Sequence, residues 1–287
     1  MPPIRALPAL ALGAALLASD PAPASAQAPV SAQAERPLGW SDVAEFTFVF
    51  TSGNATSSTL GLKNTLEHQW EGVLFHLSAG AVRAESGTTV RTATGTAGGF
   101  RVAKHTDTEK TAENYFVQSR LDRGVTESAY LFGGVGWDRN TFAGVRSRYD
   151  VVAGAGRTWS DSEDRRFKSD LGLTYTRQDD VIAGPGSGRS FGGLRATVDF
   201  FRSITATTDL SSLLVVDENL NETDDLRADW TNSVTVAMSE NLALKASHQV
   251  LYDNLPALVD VPLGPGSVHV PLEKADHALT LALVVDF

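Results

Sequence analysis

The sequence contains no cysteine, which removes disulfides, thiolate chemistry, cysteine-based zinc sites and an N-terminal lipid-anchored cysteine. It has no basic run either. Lys and Arg number 24 against 34 Asp and Glu, a formal charge of -10, so nucleic acid is not expected as a partner and an anionic channel or a solvated acidic surface fits better. No apolar stretch reaches the roughly 20 residues that a membrane-crossing helix needs, so no transmembrane helix is expected. With 42% hydrophobic and 20% charged residues, the chain of 287 residues is neither disordered nor collagenous. One large β domain is compatible with that length.

At the N-terminus, Arg5 precedes an uncharged stretch from Ala6 to Ser19 rich in Ala and Leu, and Ala24-Ser25-Ala26 then supplies a small-x-small cleavage pattern. The arrangement predicts a secretory signal peptide over residues 1–26. Residues 27–39 read as a flexible lead-in, and residues 40–287 as one domain.

From Trp40 onward, segments of roughly ten residues alternate apolar and polar positions, the period of barrel strands rather than of helices. Ala44, Phe46 and Phe48 open the series; Leu171, Leu173 and Tyr175 continue it; Leu279, Leu281, Leu283, Val285 and Phe287 close it. Twelve such segments predict an all-β, transmembrane, antiparallel up-and-down β-barrel, although a soluble sandwich shares the same period. Connections mostly alternate in length as in outer-membrane barrels, with short turns at Glu71-Gly72 and 239–241 and long loops at 86–111, 178–190, 217–225 and 253–274; the first loop, 51–56, is short and departs from the rule. Aromatic residues fall at the predicted membrane interfaces: Trp40, Trp70 and Trp159 at the periplasmic side, Trp137, Trp230 and Tyr252 at the outer side. Outer-membrane lipid is therefore an expected partner.

The chain ends on an apolar-alternating strand with a terminal Phe287, similar to the C-terminal signal read by the barrel assembly machinery. Thr51-Ser52-Gly53-Asn54 and the run from Tyr115 to Trp159, with Leu121-Asp122, Tyr130-Leu131-Phe132-Gly133-Gly134 and Gly154-Ala155-Gly156, resemble the YdiY-like barrels, also called domain of unknown function 481 or salt-induced outer-membrane proteins. The likeness covers about residues 40–287. It implies an outer-membrane location and carries no catalytic residues to transfer.

Enzymatic chemistry is not expected. His76 and Ser78 have the spacing of an outer-membrane phospholipase, but the phase turns both toward the lumen, and His248 on the lipid face has no serine beside it. The six histidines lack metal-ligand spacing, the acidic loop 217–225 lacks a glycine-centred calcium pattern, and the glycines at 184, 186 and 188 lack the lysine of a phosphate loop. No cofactor and no metal are predicted.

The inward face is more informative. It carries Lys63, Glu67, Arg120, Arg148, Asp150, Lys168, Asp170, Arg195, Asp199, Arg227 and Asp229, with Glu45, Asp122, Asp209 and Lys245 in the same phase. Interleaved charges of both signs in a narrow lumen tend to pair and fill it. Pairing is expected between Arg148 and Asp150 on one strand and Lys168 and Asp170 on the next. Gly134, Gly136, Gly154, Gly156, Gly172 and Gly193 share this face and leave room for a solute path beside them, or serve only to relieve crowding. Three functional readings follow: a narrow passive channel for small solutes, a non-transporting envelope barrel acting through its surface loops, and a phospholipase-like enzyme.

Overall fold

The computed structural model describes residues 38–51, 55–96, 99–141, 143–162, 164–182, 188–263 and 266–286. The signal-peptide segment, nearly all of the lead-in, and Phe287 lie outside the described residues. Within them the period-two segments become strands β1 (Gly39–Thr51), β2 (Ala55–Trp70), β3 (Val73–Thr96), β4 (Gly99–Gly124), β5 (Ala129–Asn140), β6 (Val145–Ser162), β7 (Arg165–Asp180), β8 (Arg189–Thr205), β9 (Thr208–Asn219), β10 (Leu226–Ser239) and β11 (Leu242–Asp253). After them come a small hairpin of β12 (Leu258–Leu263) and β13 (Gly266–Pro271), and the closing strand β14 (Ala275–Asp286). Strands β1 to β11 and β14 close a twelve-stranded antiparallel barrel, as the alternation predicts.

Phase decides which residues meet lipid. Phe46, Phe48, Leu60, Leu131, Leu171, Leu173, Tyr175, Leu279 and Leu281 are exposed on the outer wall, while their polar sequence neighbours turn inward. Sorting in this direction is stable only where the surroundings are apolar, because closure satisfies every ladder hydrogen bond and leaves side chains alone to meet the lipid. The wall is a transmembrane surface.

Two of the expected loops contain strands. Residues 86–111 continue the β3–β4 ladder: Thr96 pairs with Gly99, whereas β2 reaches only Thr88 and β5 only Asn114. Beyond those points β3 and β4 form a two-stranded ribbon, rising roughly 27 Å past the edge of β2 at about 3.4 Å per residue. Its polarity led to a loop expectation. Yet Thr88, Thr89, Val90, Thr92, Thr94 and Thr96 are β-branched, and a ladder already templated by the barrel extends without an apolar face. The second correction is the 253–274 segment, where Val259 and Val261 pair with Val270 and Val268 in the β12–β13 hairpin.

The barrel seam is short. β1 pairs with β14 from Val43–Asp286 to Thr47–Ala282 only, against thirteen pairs with β2. On the inside, Lys245 of β11 reaches past β14 to Glu45 of β1, with Nζ 3.1 and 3.0 Å from the two carboxylate oxygens. At that level β14 turns inward the small, buried Ala282, which stands opposite Lys245.

Candidate functional site in the barrel lumen

The lumen is filled unequally. Inward side chains of β4, β5, β7 and β8 are mostly buried, whereas those of β1, β2, β10 and β11 are only partly so. Two levels of charge occupy the packed side.

The level nearer the chain termini centres on Arg120, only 2% exposed. Its Nε donates to Asp122 at 2.6 Å and its Nη2 to Asp170 at 2.9 Å, while the guanidinium carbon lies 4.0 Å from the Phe132 ring centroid. The Tyr130 hydroxyl donates to the same Asp170 oxygen at 3.2 Å. Lys168 approaches the Tyr130 ring, and Arg166 donates to Asp199 at 3.0 Å. Leu74 and His76 are wholly buried beside this layer, with His76 Nδ1 3.1 Å from Glu67. Opposite charges placed this closely are what make burial of ions tolerable, and only Asp170 Oδ1 and His76 Nε2 of the side chains named here are buried without a hydrogen-bond partner among the described residues.

The glycines explain how aromatic rings fit among these charges. A Cβ on Gly154 or Gly172 would strike the Phe132 ring, and one on Gly156 would strike Tyr130. The bare backbone is where the rings lie, so the space beside the glycines holds protein side chains. Tyr130 and Phe132 were missed as lumen residues by the sequence reading. Their signal was available: aromatics in the inward phase next to strands with inward glycines two residues apart.

Toward the long loops lies a second level. Arg148 donates to Asp138 at 2.9 Å, and Arg195 bridges Asp150 at 3.2 Å and Asp217 at 2.8 Å. The expected pairing of Arg148 and Asp150 with Lys168 and Asp170 does not form. Register is the reason: Asp150 stands opposite Thr176 and Asp170 opposite Gly156, six residues or about 20 Å apart along β7. Asp170 therefore pairs with Arg120 on β4, and Asp150 with Arg195 on β8.

The partly exposed side carries Lys63, Glu67, Glu45 and Lys245, with Lys63 Nζ 3.5 Å from Glu45. Toward the loops it continues through Thr231 and Gln249, and Gln249 donates twice to the carboxylate of the buried Asp229. Cavities open at both ends. One of 440 Å³ is lined by Trp40, Glu67, Gln69 and Leu74 at the terminal end, and one of 120 Å³ by Arg227, Asp229 and Asp253 beneath the segment that carries β12 and β13. Among the described residues no group of three or more His, Asp or Glu is placed to hold a metal.

The interface aromatics point outward. Trp40, Trp70, Trp159, Trp230 and Tyr252 are exposed, and Trp40 and Trp70 pack on either side of His68 at the terminal end. Three indoles share one device: Trp137 donates to Ser147, Trp159 to Ser169 and Trp230 to Ser212, each at 2.9 to 3.0 Å. Each serine sits on the neighbouring strand, diagonal to its tryptophan, so a lipid-facing N–H is satisfied within the wall.

The solved structures similar to this chain are β-barrels. The NanC porin in a rhombohedral crystal form shares 11% identity at a TM-score of 0.46, over 85% of this chain and 98% of that one. The COG4313 outer membrane channel from Pseudomonas putida F1 shares 13% at 0.44, over 88% and 97%. An anion-selective porin from Comamonas acidovorans shares 10% at 0.36, over 88% and 100%. No curated protein matches the sequence. The sequence model of one family, described as "Protein of unknown function, DUF481", matches residues 44–287, which is the whole of the barrel apart from the first residues of β1: the chain belongs to the DUF481 family.

Proposed function

We propose that this protein is a narrow passive channel of the bacterial outer membrane, passing small solutes along one wall of a charge-paired lumen. The observation that carries this reading is the unequal filling. Partly exposed polar side chains run from Glu67, at the cavity of the terminal end, through Lys63, Glu45 and Lys245 to Gln249, which donates to the buried Asp229 in the lining of the other cavity. Opposite them, Arg120, Asp170, Tyr130 and Phe132 form a packed mass that narrows the bore to this strip. Export through a cleaved segment 1–26 and insertion by the barrel assembly machinery reading Phe287 belong to the same proposal. No reaction and no cofactor are part of it.

Refolded protein in planar bilayers tests the reading. A small, discrete conductance is expected, well below that of a wide open porin. Silence from verified insertions would overturn it and favour a non-transporting barrel acting through the β3–β4 ribbon; a large open conductance would overturn the packed lumen. Lipid-hydrolysis activity would bring back the enzyme reading.

A further inference from the structure

The 120 Å³ cavity at the loop end lies between the barrel wall and the segment that carries β12 and β13. Its volume is that of roughly four waters at liquid density. Pro256, Ala257 and Leu272 roof it, with Leu272 donating its backbone N–H to Ala257, and Val215 and Leu251 add apolar surface from below. The roof is tightly seated: a Cβ on Gly144, in the β5–β6 connection, would collide with Ala257.

The charges lining this cavity differ from those elsewhere in the lumen. Arg148 and Arg195 are spoken for by Asp138, Asp150 and Asp217. Arg227 is not. Its Nε is buried and finds no hydrogen-bond acceptor among the described residues, and its nearest carboxylate oxygen, on Asp225, is 3.5 Å away. A guanidinium N–H left in that condition is costly and is the natural receptor for a carboxylate. Glu273 and Lys274 line the cavity from the connection between β13 and β14, with the Lys274 ammonium donating to Asn254, and three further acids line it from the barrel strands. Asp229 is held by neutral Gln249 and Thr231, Asp253 receives the Leu255 N–H, and Asp276 stands opposite Leu251 in the β11–β14 ladder, diagonal to Asp253. None of the three forms an ion pair within 4.0 Å among the described residues.

A loosely paired Arg227, its Nε–H without an acceptor among the described residues, therefore stands beside three acids that form no ion pair within 4.0 Å. Arg227 and Asp229 occupy successive inward positions of β10, about 6.7 Å apart. That spacing lets one small molecule between them place a carboxylate on the first and an ammonium on the second when its two charges are an atom or two apart. A plain anion would meet three carboxylates, and a plain cation would leave the Arg227 N–H unsatisfied. The apolar roof and floor favour a short hydrocarbon body. We infer that the cavity is a recognition site for small zwitterions of the α-amino-acid class, with Arg227 taking the carboxylate, Asp229 and Asp253 the ammonium, and Leu251 and Leu272 the side chain.

The solute class rests on the channel reading, but binding can be measured without conduction. Calorimetry on the refolded full barrel in detergent, with L-valine, 3-methylbutanoate and 2-methylpropan-1-amine as probes, compares the zwitterion with its two single-charge analogues. L-valine should bind, and each analogue should bind about tenfold or more weakly, because each forfeits one charge-assisted contact. Arg227→Gln should abolish the preference for valine over the amine, and Asp229→Asn the preference over the carboxylate. Equal binding of all three probes, or no binding of valine, overturns the site, and because the unmodified protein gives that answer it does not depend on the variants folding. Bilayer currents separate the two claims: valine binding in a silent barrel leaves the site and removes the channel, whereas conduction without valine binding or block does the reverse.

Discussion

At the scale of single residues, buried charge is the main source of fragility. Arg120 is shared between Asp122 and Asp170, and the latter is also the acceptor for Tyr130. Asp170→Ala removes two contacts and leaves a desolvated guanidinium half compensated, a loss of about 3 to 5 kcal/mol. Ser169→Ala, on the same strand but facing lipid, removes only the acceptor for the Trp159 indole, a loss of about 1 kcal/mol. Urea unfolding in lipid vesicles followed by tryptophan fluorescence ranks the two. A smaller effect for Asp170→Ala than for Ser169→Ala would mean that the Arg120 layer is not the core of the lumen. The sign and phase of these charges were legible in the sequence because inward positions recur every second residue. Their partners were not: pairing depends on strand stagger, and nothing in the β6 or β7 sequence alone sets Asp150 against Thr176.

Elements differ in how much they tolerate, and the glycines show why. At Gly154 an added methyl would run into the Leu171 carbonyl and the Gly172 backbone of β7, so a whole strand must shift; at Gly80 it overlaps only the far edge of the Phe116 ring, with the nearest backbone atom, the Leu62 carbonyl oxygen, 3.1 Å away. Gly154→Ala should impair formation of the heat-modifiable folded band in gel electrophoresis, and Gly80→Ala should leave it nearly intact. Equal behaviour would show that the β6–β7 approach is not tight. The twelve barrel strands could be read from alternation alone, since lipid outside and charge inside enforce it without exception along Leu171, Leu173 and Tyr175. The ribbon could not, because past Thr88 the pair has no further barrel strand beside β3 to impose an alternation, and Thr-rich strands look like loop. Two-stranded ribbons are marginally stable alone, so trypsin added to intact cells should cut between Arg91 and Lys110. Cleavage confined to cells with a breached outer membrane would place the ribbon on the periplasmic side.

For the molecule as a whole, the packed mass lies against β4 to β8, and the open strip belongs to β1, β2, β10 and β11. Lys63→Ser withdraws a cation from that strip while Glu45 and Glu67 stay, so the reversal potential in a salt gradient should move toward stronger cation preference. An unchanged potential in a correctly folded variant would place the current elsewhere. The same lopsidedness bears on how such a sequence changes over generations. On the packed side each inward residue is another's contact: Phe132 can keep its place only while Gly154 and Gly172 remain small, and Arg120 only while an acid stands at Asp170. Those positions are bound to drift together or not at all. Along the open strip, a side chain such as Lys63 borders solvent on one flank, and single replacements there are the cheap ones. Sequences descended from a common barrel should accordingly share the filled half and differ in the strip, the half that the proposed channel would present to its solute.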